Sequence, residues 1–405
     1  MTIARVFVPF ALGYFLSYLV RVVNAVIAPD LVAELGLTAA DLGLLTSANF
    51  LAFAAAQLPL GILLDRFGPR RTEAALLLFA ALGAFLFATA QSTSGLMAGR
   101  ALIGLGTSAC LMAAFKAYVM WVPGGRIPLV NGLQMAVGGL GAVTGTVPVE
   151  WVLTVTDWRG LFYGFAVLAV LFSAAIYLVV PRRAGTESVP GPLKDQLAGT
   201  VQVMTSPLFW RIAPMSIASQ SMFLGTQSLW SGPWLGDVAG LSRDAVANHL
   251  LWIAIAMVVG FLGMGTIADR LGKLGIKTIH VAFTGMTIFA IVQLPMIAQW
   301  TGSVLMMWMA FGFFGTAGIL SYAALTRYFP TELAGRVITG LNVFTFACAF
   351  AAQWGMGLII NIWPSIGDAV GGGYAPEGYQ AAFAVMFATQ AAGLAWFLLY
   401  RRAKV

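Results

Sequence analysis

The chain has 405 residues, of which 60% are hydrophobic and 9% are charged. A soluble protein of this length needs a polar surface, and soluble domains carry about 25% charged residues. The composition therefore excludes a soluble fold and predicts an integral membrane protein. The net charge of +7 does not indicate nucleic-acid binding, because the basic residues lie in short loops between apolar segments and form no continuous basic face.

Apolar segments recur along the whole chain, and each is near the roughly 20 residues that a bilayer requires. Lipid offers no hydrogen-bond partner to an open backbone, so each segment is predicted to be a helix. The result is an all-α membrane protein with twelve transmembrane helices. In chain order, the predicted spans are residues 5–28, 41–63, 73–91, 97–120, 129–153, 159–180, 209–236, 244–267, 276–298, 302–325, 335–362 and 379–400.

The longest polar interval between spans contains the stretch PRRAGTESVPGPLKDQ, which is rich in proline, glycine and charge. Such a composition is typical of a linker. We predict an N-terminal six-helix bundle over residues 1–180, a cytoplasmic linker over 181–208 and a C-terminal six-helix bundle over 209–405.

Lysine and arginine in short loops set the orientation of a membrane protein, because they remain on the cytoplasmic side. The loops on one predicted side contain most of the basic residues: Arg66, Arg70, Arg71, Arg126, Arg182, Arg183, Lys194, Arg270, Lys273, Lys277, Arg327, Arg336, Arg401, Arg402 and Lys404. The opposite loops are mainly acidic, with Arg159 and Arg243 as exceptions. We expect both termini in the cytoplasm and the protein in a bacterial-type inner membrane.

A short motif occurs once in each predicted half. The sequence after span two reads GILLDRFGPRR, and the sequence after span eight reads GTIADRLGKLG. Gly61, Asp65, Arg66 and Gly68 each have an identical residue 204 positions later. Four matches at one offset indicate an internal repeat.

This motif resembles the signature loop of the major facilitator superfamily, and the resemblance extends over the whole chain. Arg100, Gly104 and Gly106 resemble the family's second motif, and DWRGLFY before span six also fits. The pair Pro123/Arg126 has a counterpart in the second half, Pro330/Arg336. The family's antiporter signature in span five is absent, since Pro148 is misplaced, and this disfavours a drug/proton antiporter.

The loop motif predicts a gate. Asp65 ends its helix, where the macrodipole disfavours an anion, so nearby cations such as Arg66 and Arg70 are expected to stabilise it. The resemblance implies a further partner at the start of span eleven, near Gly335 and Arg336. A glycine at position 61 would allow two helices to approach closely. The candidate gating residues are Gly61, Asp65, Arg66, Gly68, Arg70, Asp269, Arg270 and Arg336. Static surface charges in a tight turn are the alternative.

The first span has a polar stripe formed by Tyr14, Ser17, Tyr18, Arg21 and Asn24 at helical spacing. A cation in mid-bilayer costs at least about 2.5–3.5 kcal/mol unless water, an acid or an anionic ligand compensates it. Glu150 is the one carboxylate clearly inside a predicted span, so an anionic substrate is the expected partner of Arg21. Snorkelling or a buried structural pair are the alternatives.

The stretch YLVRVVNAVIAPDL resembles the first helix of organic-anion and organophosphate carriers of the same superfamily, where the matching arginine holds the anionic group. Organophosphate carriers add an arginine in helix seven, whereas Gly225 or Gln227 stands in that region here. The resemblance therefore favours a carboxylate over a phosphate ester.

Further polar residues interrupt the apolar spans. Arg100 and Glu150 are candidates for coupling, and Lys116 is a candidate for substrate binding or snorkelling. Asn49, Gln134, Gln227, Asn342 and Gln353 either contact the substrate or join helices. The second half offers no intramembrane cation, so its expected contribution is amide and aromatic contacts. Four tryptophans either shape an apolar pocket or anchor the chain at the interface: Trp230, Trp234, Trp252 and Trp308.

The predicted function is secondary active transport of a small organic anion by alternating access, either proton-coupled or by exchange. The predicted substrate-binding residues are Tyr14, Tyr18, Arg21, Asn49, Lys116, Gln134, Gln227, Trp230 and Asn342. The alternative is proton-coupled export of amphipathic compounds. No catalytic residue, metal, cofactor or nucleotide motif is expected, and we expect a monomer.

Overall fold

The computed structural model describes residues 2–123, 126–181, 193–330, 333–364 and 373–400. Over these ranges the protein is all-helical, as predicted, and it contains no β-strand. The chain divides into two compact units, and each is described here by itself. The first consists of Met1–Leu31 and Leu44–Pro190, and the second of Val32–Gly43 and Gly191–Val405.

The first unit is built from eight helices, two of which extend into the second unit. They are α1 (Thr2–Val22), α2 (Asn24–Leu35), α3 (Ala39–Thr89), α4 (Thr93–Thr107), α5 (Cys110–Trp121), α6 (Ile127–Thr144), α7 (Val147–Leu153) and α8 (Trp158–Val179). The first helix is central, because α4, α5, α6 and α8 all pack against it. It is therefore well placed to hold functional side chains.

Gly68 divides the long helix α3 into two membrane spans. Its backbone adopts φ 74° and ψ 163°, a conformation that L-residues with a Cβ rarely adopt. The following Pro69 lacks an amide hydrogen and fits the first turn of the new helix. The kink thus lies within the loop motif, between predicted spans two and three.

Asp157 and Arg159 of the DWRGLFY motif fix the start of α8. The Asp157 carboxylate accepts a hydrogen bond of 2.7 Å from the Gly160 amide, which caps the helix. Arg159 donates to the carbonyl oxygens of Ala88 and Ala90 at 2.9 and 2.8 Å, on either side of the last residue of α3. Carbonyls at a helix end attract cations, and this contact explains a basic residue on the mainly acidic side.

The second unit contains ten further helices with two short irregular turns between them. The helices are α9 (Leu193–Met204), α10 (Pro207–Gly225), α11 (Ser231–Asp237), α12 (Arg243–Lys273), α13 (Thr278–Val292), α14 (Leu294–Ile297), α15 (Val304–Gly315), α16 (Ile319–Thr326), α17 (Ala334–Ile360) and α18 (Pro376–Leu399). A π-helical segment, Thr226–Trp230, joins α10 to α11, and a 3₁₀ turn, Thr316–Gly318, joins α15 to α16.

Nine helices in the described ranges are long and apolar enough to cross a membrane, or ten if the bent pair α6–α7 forms one span. The twelve predicted spans are consistent with this number. Ala39–Thr89 contains two of them, and predicted span seven corresponds to α10, the π-helical segment and α11. The bend of 40° between α6 and α7 lies within predicted span five.

The structure adds a second element to the internal repeat. Gly36 and Gly240 both adopt a left-handed backbone, with φ 62° and 66°, and they stand 204 residues apart. Each is followed by leucine and then by a hydroxyl residue that begins the next helix. The Thr38 hydroxyl accepts from the Asp41 amide, and the Ser242 hydroxyl accepts from the Ala245 amide. The two halves therefore share a helix-ending turn as well as the loop motif.

The predicted domain boundaries stay a prediction. Val32–Gly43 packs with the second unit although it precedes most of the first unit in the chain. A carbon added at Gly43 would lie 2.9 Å from the Gln353 carbonyl, so this segment and α17 approach closely. Within the predicted linker, the structure describes α9, whereas residues 182–192 lie outside the described ranges.

Candidate functional site

The polar stripe of α1 faces the interior of the first unit. Tyr14, Ser17, Tyr18 and Arg21 are all buried, and Asn24 at the start of α2 is buried as well. Arg21 is only 7% exposed, so its side chain does not extend along the surface as a snorkelling arginine does. The helical spacing in the sequence therefore identified a genuine inward-facing stripe.

Aromatic rings surround the Arg21 guanidinium. Its central carbon lies 4.9 Å from the ring centroid of Tyr18 and 5.5 Å from that of Phe53 on α3. A cation over an aromatic face is stabilised by the ring quadrupole, more strongly when the pair is desolvated. Arg21 also stands in the last turn of α1, where the helix dipole favours a cation. The sequence did not indicate Phe53, because a phenylalanine in an apolar span carries no distinguishing signal.

The helix breaks two residues after Arg21. Val23 separates α1 from α2, and side chains bond two carbonyl oxygens at the break. The Asn24 amide donates to the Arg21 carbonyl at 3.2 Å, and Arg100 on α4 donates to the Val20 carbonyl at 3.1 Å. Arg100 is fully buried, and its guanidinium lies over the rings of Phe87 and Phe162, at 4.4 and 4.8 Å. Its predicted coupling role stays a prediction, and its contacts are those of a residue that supports the break.

Tyr14 extends the aromatic lining toward α6. Its ring meets that of Tyr18 edge to face at 5.2 Å, and its hydroxyl donates to the Met135 sulfur at 3.6 Å. Gly138 on α6 leaves room for both rings, since an added Cβ would collide with Tyr14. The two tyrosines therefore line the same side of α1 as Arg21.

Gln134 and Asn49 differ in what they contact. Gln134 is fully buried; its oxygen accepts from the Tyr118 hydroxyl at 2.6 Å, and its amide donates to the Phe10 carbonyl at 3.3 Å. These bonds join three helices, which matches the alternative that the sequence left open. Asn49 is buried on α3 at a close approach, since an added Cβ at Gly104 would collide with the Asn49 carbonyl.

Lys116 belongs to the loop motif in this structure. Its ammonium group lies 2.5 Å from a carboxylate oxygen of Asp65 and donates to the Leu64 carbonyl at 2.8 Å. The sequence named Arg66 and Arg70 as the nearby partners and missed Lys116, which is 51 residues away. The cation offsets the unfavourable position of Asp65 at a helix end. Its predicted contact with substrate stays a prediction.

The other first-half gating residues lie around the same kink. Arg70 donates to the Tyr177 carbonyl and stacks over the Tyr177 ring at 4.6 Å. Arg66 lies over the Phe67 ring at 5.3 Å. The close helix approach expected at Gly61 is absent, because a carbon added there would have no described neighbour within 4 Å. Of the two glycines, only Gly68 has a conformation that requires glycine.

The second copy of the motif differs in detail. Asp269 and Arg270 are exposed at the end of α12. The left-handed glycine here is Gly275, with φ 83°, whereas the residue that matches Gly68 in sequence is Gly272. Arg336 lies at the start of α17 against Gly199 of α9, where an added Cβ would collide with its guanidinium. The linker helix therefore packs directly on a predicted gating residue.

The π-helical segment of the second unit contains two predicted substrate residues, Gln227 and Trp230. A π-helical turn widens the helix by one residue, costs stability and is frequent at functional sites. Gln227 is buried, and the Trp230 indole is fully buried and donates to the Gln353 carbonyl at 2.9 Å. Asn342 is half-buried on α17.

The other tryptophans separate into two groups. Trp234 and Trp308 are fully buried, and their rings meet edge to face at 5.5 Å. Trp252 is 44% exposed on α12 and is therefore not part of a buried pocket. The sequence predicted no intramembrane cation in the second half, and this prediction is wrong. Arg211 lies early in predicted span seven, and the central carbon of its guanidinium is 5.5 Å from the ring centroid of Phe397.

Two carboxylates lie inside predicted spans of the first unit, where the sequence indicated one. Glu150 is buried in α7, after the bend. Glu73 is fully buried in the second part of α3, at the first position of predicted span three, and the sequence analysis did not single it out. Its signal was the apolar run AALLLFAALGAFLF that follows, which places the residue on the helix and not before it.

The sequence profile described as Major Facilitator Superfamily matches residues 10–353. The probable L-galactonate transporter of Escherichia coli K12 is 26% identical over 353 residues, covering 81% of this chain and 76% of that protein. The cis,cis-muconate transport protein of Acinetobacter baylyi is 26% identical over 339 residues, covering 79% and 78%. The nitrate/nitrite transporter NrtP of Picosynechococcus is 24% identical over 235 residues, covering 51% of this chain and 43% of that protein. The chain thus spans less than half the length of some curated relatives that it matches.

Among solved structures, a bacterial homologue of the human lysosomal transporter Spinster, in an inward-facing and occupied conformation, has a TM-score of 0.78. It is 15% identical, and the superposition covers 100% of this chain and 97% of that one. At this identity the likeness concerns the fold.

Proposed function

This chain belongs to the Major Facilitator Superfamily, and from that premise we propose that it is a secondary transporter of a small organic anion, most simply a carboxylate. Membership makes it a multi-pass membrane transporter and not an enzyme. The proposal adds the substrate class, alternating access of two six-helix halves (residues 1–180 and 209–405, joined by 181–208) and coupling to protons or exchange.

The observation that carries the proposal is the burial of Arg21 on the aromatic and hydroxyl stripe of α1. A guanidinium offers a planar fork of donors that matches a carboxylate. Tyr14 and Tyr18 add an apolar wall with polar tips, which suits the carbon skeleton and hydroxyls of a small acid.

Two relatives support the organic-anion class. The galactonate and muconate transporters are named for carboxylates, and each match covers more than three quarters of this chain. NrtP is named for inorganic anions, which agrees with an anion site but not with the organic part.

The other substrate contacts predicted from the sequence remain part of the proposal. Asn49, Lys116 and Gln134 belong to the first half, and Gln227, Trp230 and Asn342 to the second. The π-helical segment supports the inclusion of Gln227 and Trp230, because its irregular backbone directs side chains that a regular helix would place differently. The proposed setting is an inner membrane with both termini in the cytoplasm, in line with the distribution of lysine and arginine in the loops.

The test is uptake by purified protein in proteoliposomes under an imposed pH gradient, with radiolabelled galactonate, muconate and nitrate against a cationic dye. We expect saturable uptake of a carboxylate. Arg21→Ala should abolish it or raise KM roughly 10–100-fold, the loss of about 1.5–3 kcal/mol for hydrogen bonds to a charged group. Arg5→Ala is the matched control, because Arg5 is exposed on the same helix. Equal uptake by the Arg21→Ala and Arg5→Ala proteins would contradict the site.

Export of amphipathic compounds is the second candidate. It is favoured by the buried pair of Trp234 and Trp308, whose indole nitrogens have no hydrogen-bond partner in the described part of the chain. Buried indole N–H groups usually find an acceptor, so a ligand acceptor would suit them. Dye efflux that is unaffected by Arg21→Ala, with no carboxylate uptake, would favour this function.

A further inference from the structure

Glu73 is a carboxylate sealed within the first unit. Its side chain is fully buried on α3, and an added Cβ at Gly13 on α1 would collide with its Oε1 atom. Neither carboxylate oxygen has a hydrogen bond of good geometry with any group in the described part of the chain. An isolated ionised carboxylate in such surroundings is very costly, whereas the protonated acid is tolerated. Burial without a hydrogen-bonding partner therefore favours the protonated form of Glu73 in this conformation.

The groups around Glu73 come from the neighbouring helices α1, α5 and α8. The Cys110 thiol and the Tyr118 ring on α5 are within electrostatic reach of the carboxyl group. The hydroxyl of Tyr118 is committed to Gln134, so it does not donate to Glu73. On α8, the Ile176 side chain lies near Gly13, and the Ser173 hydroxyl donates to the Ala74 carbonyl. None of these groups carries a positive charge that would neutralise an ionised Glu73.

Two cations of the same unit belong to this description. Arg70, one helical turn before Glu73, directs its guanidinium to the Tyr177 carbonyl and ring. Arg21 on α1 is buried, and its guanidinium lies over the rings of Tyr18 and Phe53.

We propose that Glu73 is the proton-carrying residue of the transport cycle. This inference rests on the proposed function. Glu73 holds the proton while it is closed off from water, and it releases the proton when a later conformation of the cycle opens this region to water. The step is balanced: one O–H bond breaks, one proton leaves to water, and no other reactant is needed.

The first experiment measures the proton without any cargo. Infrared difference spectra of the full-length protein in lipid, recorded during a pH change, report the C=O stretching band of a protonated carboxylic acid. We expect such a band in the wild type and in Glu377→Gln, whose acid is exposed, and its loss in Glu73→Gln. A band that persists in Glu73→Gln would overturn the proposal.

A second variant keeps the experiment decisive if Glu73→Gln does not fold. Cys110→Ala retains the acid and removes the thiol beside it, and the cavity left by one sulfur is small. The band should then shift in frequency, because the environment of the carbonyl changes. An unshifted band in Cys110→Ala would assign the signal to another acid and contradict the proposal.

The second experiment separates coupling from binding. Proteoliposomes with muconate or galactonate are assayed for accumulation driven by a pH gradient and for counterflow without a gradient. Glu73→Gln should lose gradient-driven accumulation and retain counterflow, whereas Arg21→Ala should lose both. Wild-type accumulation by the Glu73→Gln protein would overturn the coupling role. Absence of carboxylate transport in the wild type would contradict the proposed function, and the infrared result would still decide whether Glu73 carries a proton.

Discussion

The guanidinium of Arg100 donates a hydrogen bond of 3.1 Å to the carbonyl oxygen of Val20, the residue before Arg21. This contact joins α4 to α1 at the helix break. The carbonyl lies within a membrane-spanning region, where neither water nor the interrupted helix supplies a donor. The relationship shows how one buried arginine can support the position of another.

Replacement of Arg100 by alanine should reduce both stability and anion affinity. Leaving the Val20 carbonyl without its donor costs about 1–3 kcal/mol, the penalty of an unsatisfied buried polar group. The loss should appear as a lower Tm in detergent and as a higher KM for the transported anion. Arg100→Lys should recover part of the Tm, because an ammonium group can still donate. An Arg100→Ala protein with wild-type Tm and KM would contradict a supporting role.

The pair of Lys116 and Asp65 should contribute little to stability. Both side chains are partly exposed, at 30% and 49%, and such pairs are worth about 0.2–1 kcal/mol. A double-mutant cycle with Lys116→Ala and Asp65→Asn measures this coupling from unfolding curves at low and high salt. The same cycle distinguishes the two roles of Lys116. If the lysine only serves Asp65, Lys116→Ala has no further effect on KM in the Asp65→Asn background; if it contacts cargo, KM still rises.

The close contact between α1 and α6 should not tolerate a side chain at Gly141. A Cβ there would collide with the Phe15 carbonyl and lie 3.2 Å from its Cα atom, so the backbone itself must shift. Overpacking of this kind costs about 1–3 kcal/mol, and Gly141→Ala should lower the Tm accordingly. Gly132→Ala is the matched control on the same helix, because an added carbon there meets nothing within 4 Å. Equal Tm values for the two variants would contradict the predicted packing.

Asp237 should make stability depend on pH. It lies one residue beyond predicted span seven, where its Oδ2 atom accepts from the Tyr379 hydroxyl at 2.6 Å and from the Tyr374 amide at 3.0 Å. Burial raises its pKa above the ordinary 3.8, although these hydrogen bonds act in the opposite direction. The folded protein therefore holds this proton more tightly than the unfolded chain does. The free energy of unfolding should fall as pH rises from 3.8 through the raised pKa.

The measurement is the Tm of the detergent-solubilised protein across this pH window. Asp237→Asn should show a smaller fall in Tm as the pH rises through this window, because the amide does not titrate. Asp244→Asn is the control, because Asp244 is an exposed acid at the start of α12. This variant should show the same fall in Tm as the wild type. A decrease of the same size in Asp237→Asn would show that another group causes it.

The sequence was sufficient for the fold because its signals are long and redundant. Apolar runs of membrane length identify the spans, and the repeated motif with Asp65 and Asp269 identifies the two halves. The inward stripe at Arg21 was also predictable, since helical spacing alone places five polar residues on one face. These inferences depend on periodicity, which a single chain displays without any knowledge of tertiary contacts.

The partners of the polar residues could not be predicted in the same way. Lys116 reaches Asp65 across 51 residues, and Arg100 reaches Val20 across 80. Such pairs depend on how helices pack, and many arrangements satisfy the same periodicity. Glu73 was missed for another reason. The apolar run after it places Glu73 on a helix, but only the tertiary structure shows that this end of the helix is buried.

The interruption of the first span at Val23 has a mechanical consequence. In a continuous membrane helix, a bend must break backbone hydrogen bonds in hydrocarbon, at several kcal/mol for each exposed group. Here the Val20 and Arg21 carbonyls already accept from Arg100 and Asn24. Neither carbonyl is therefore left unbonded at the break, and Val23 lies two positions from the residue proposed to hold the cargo.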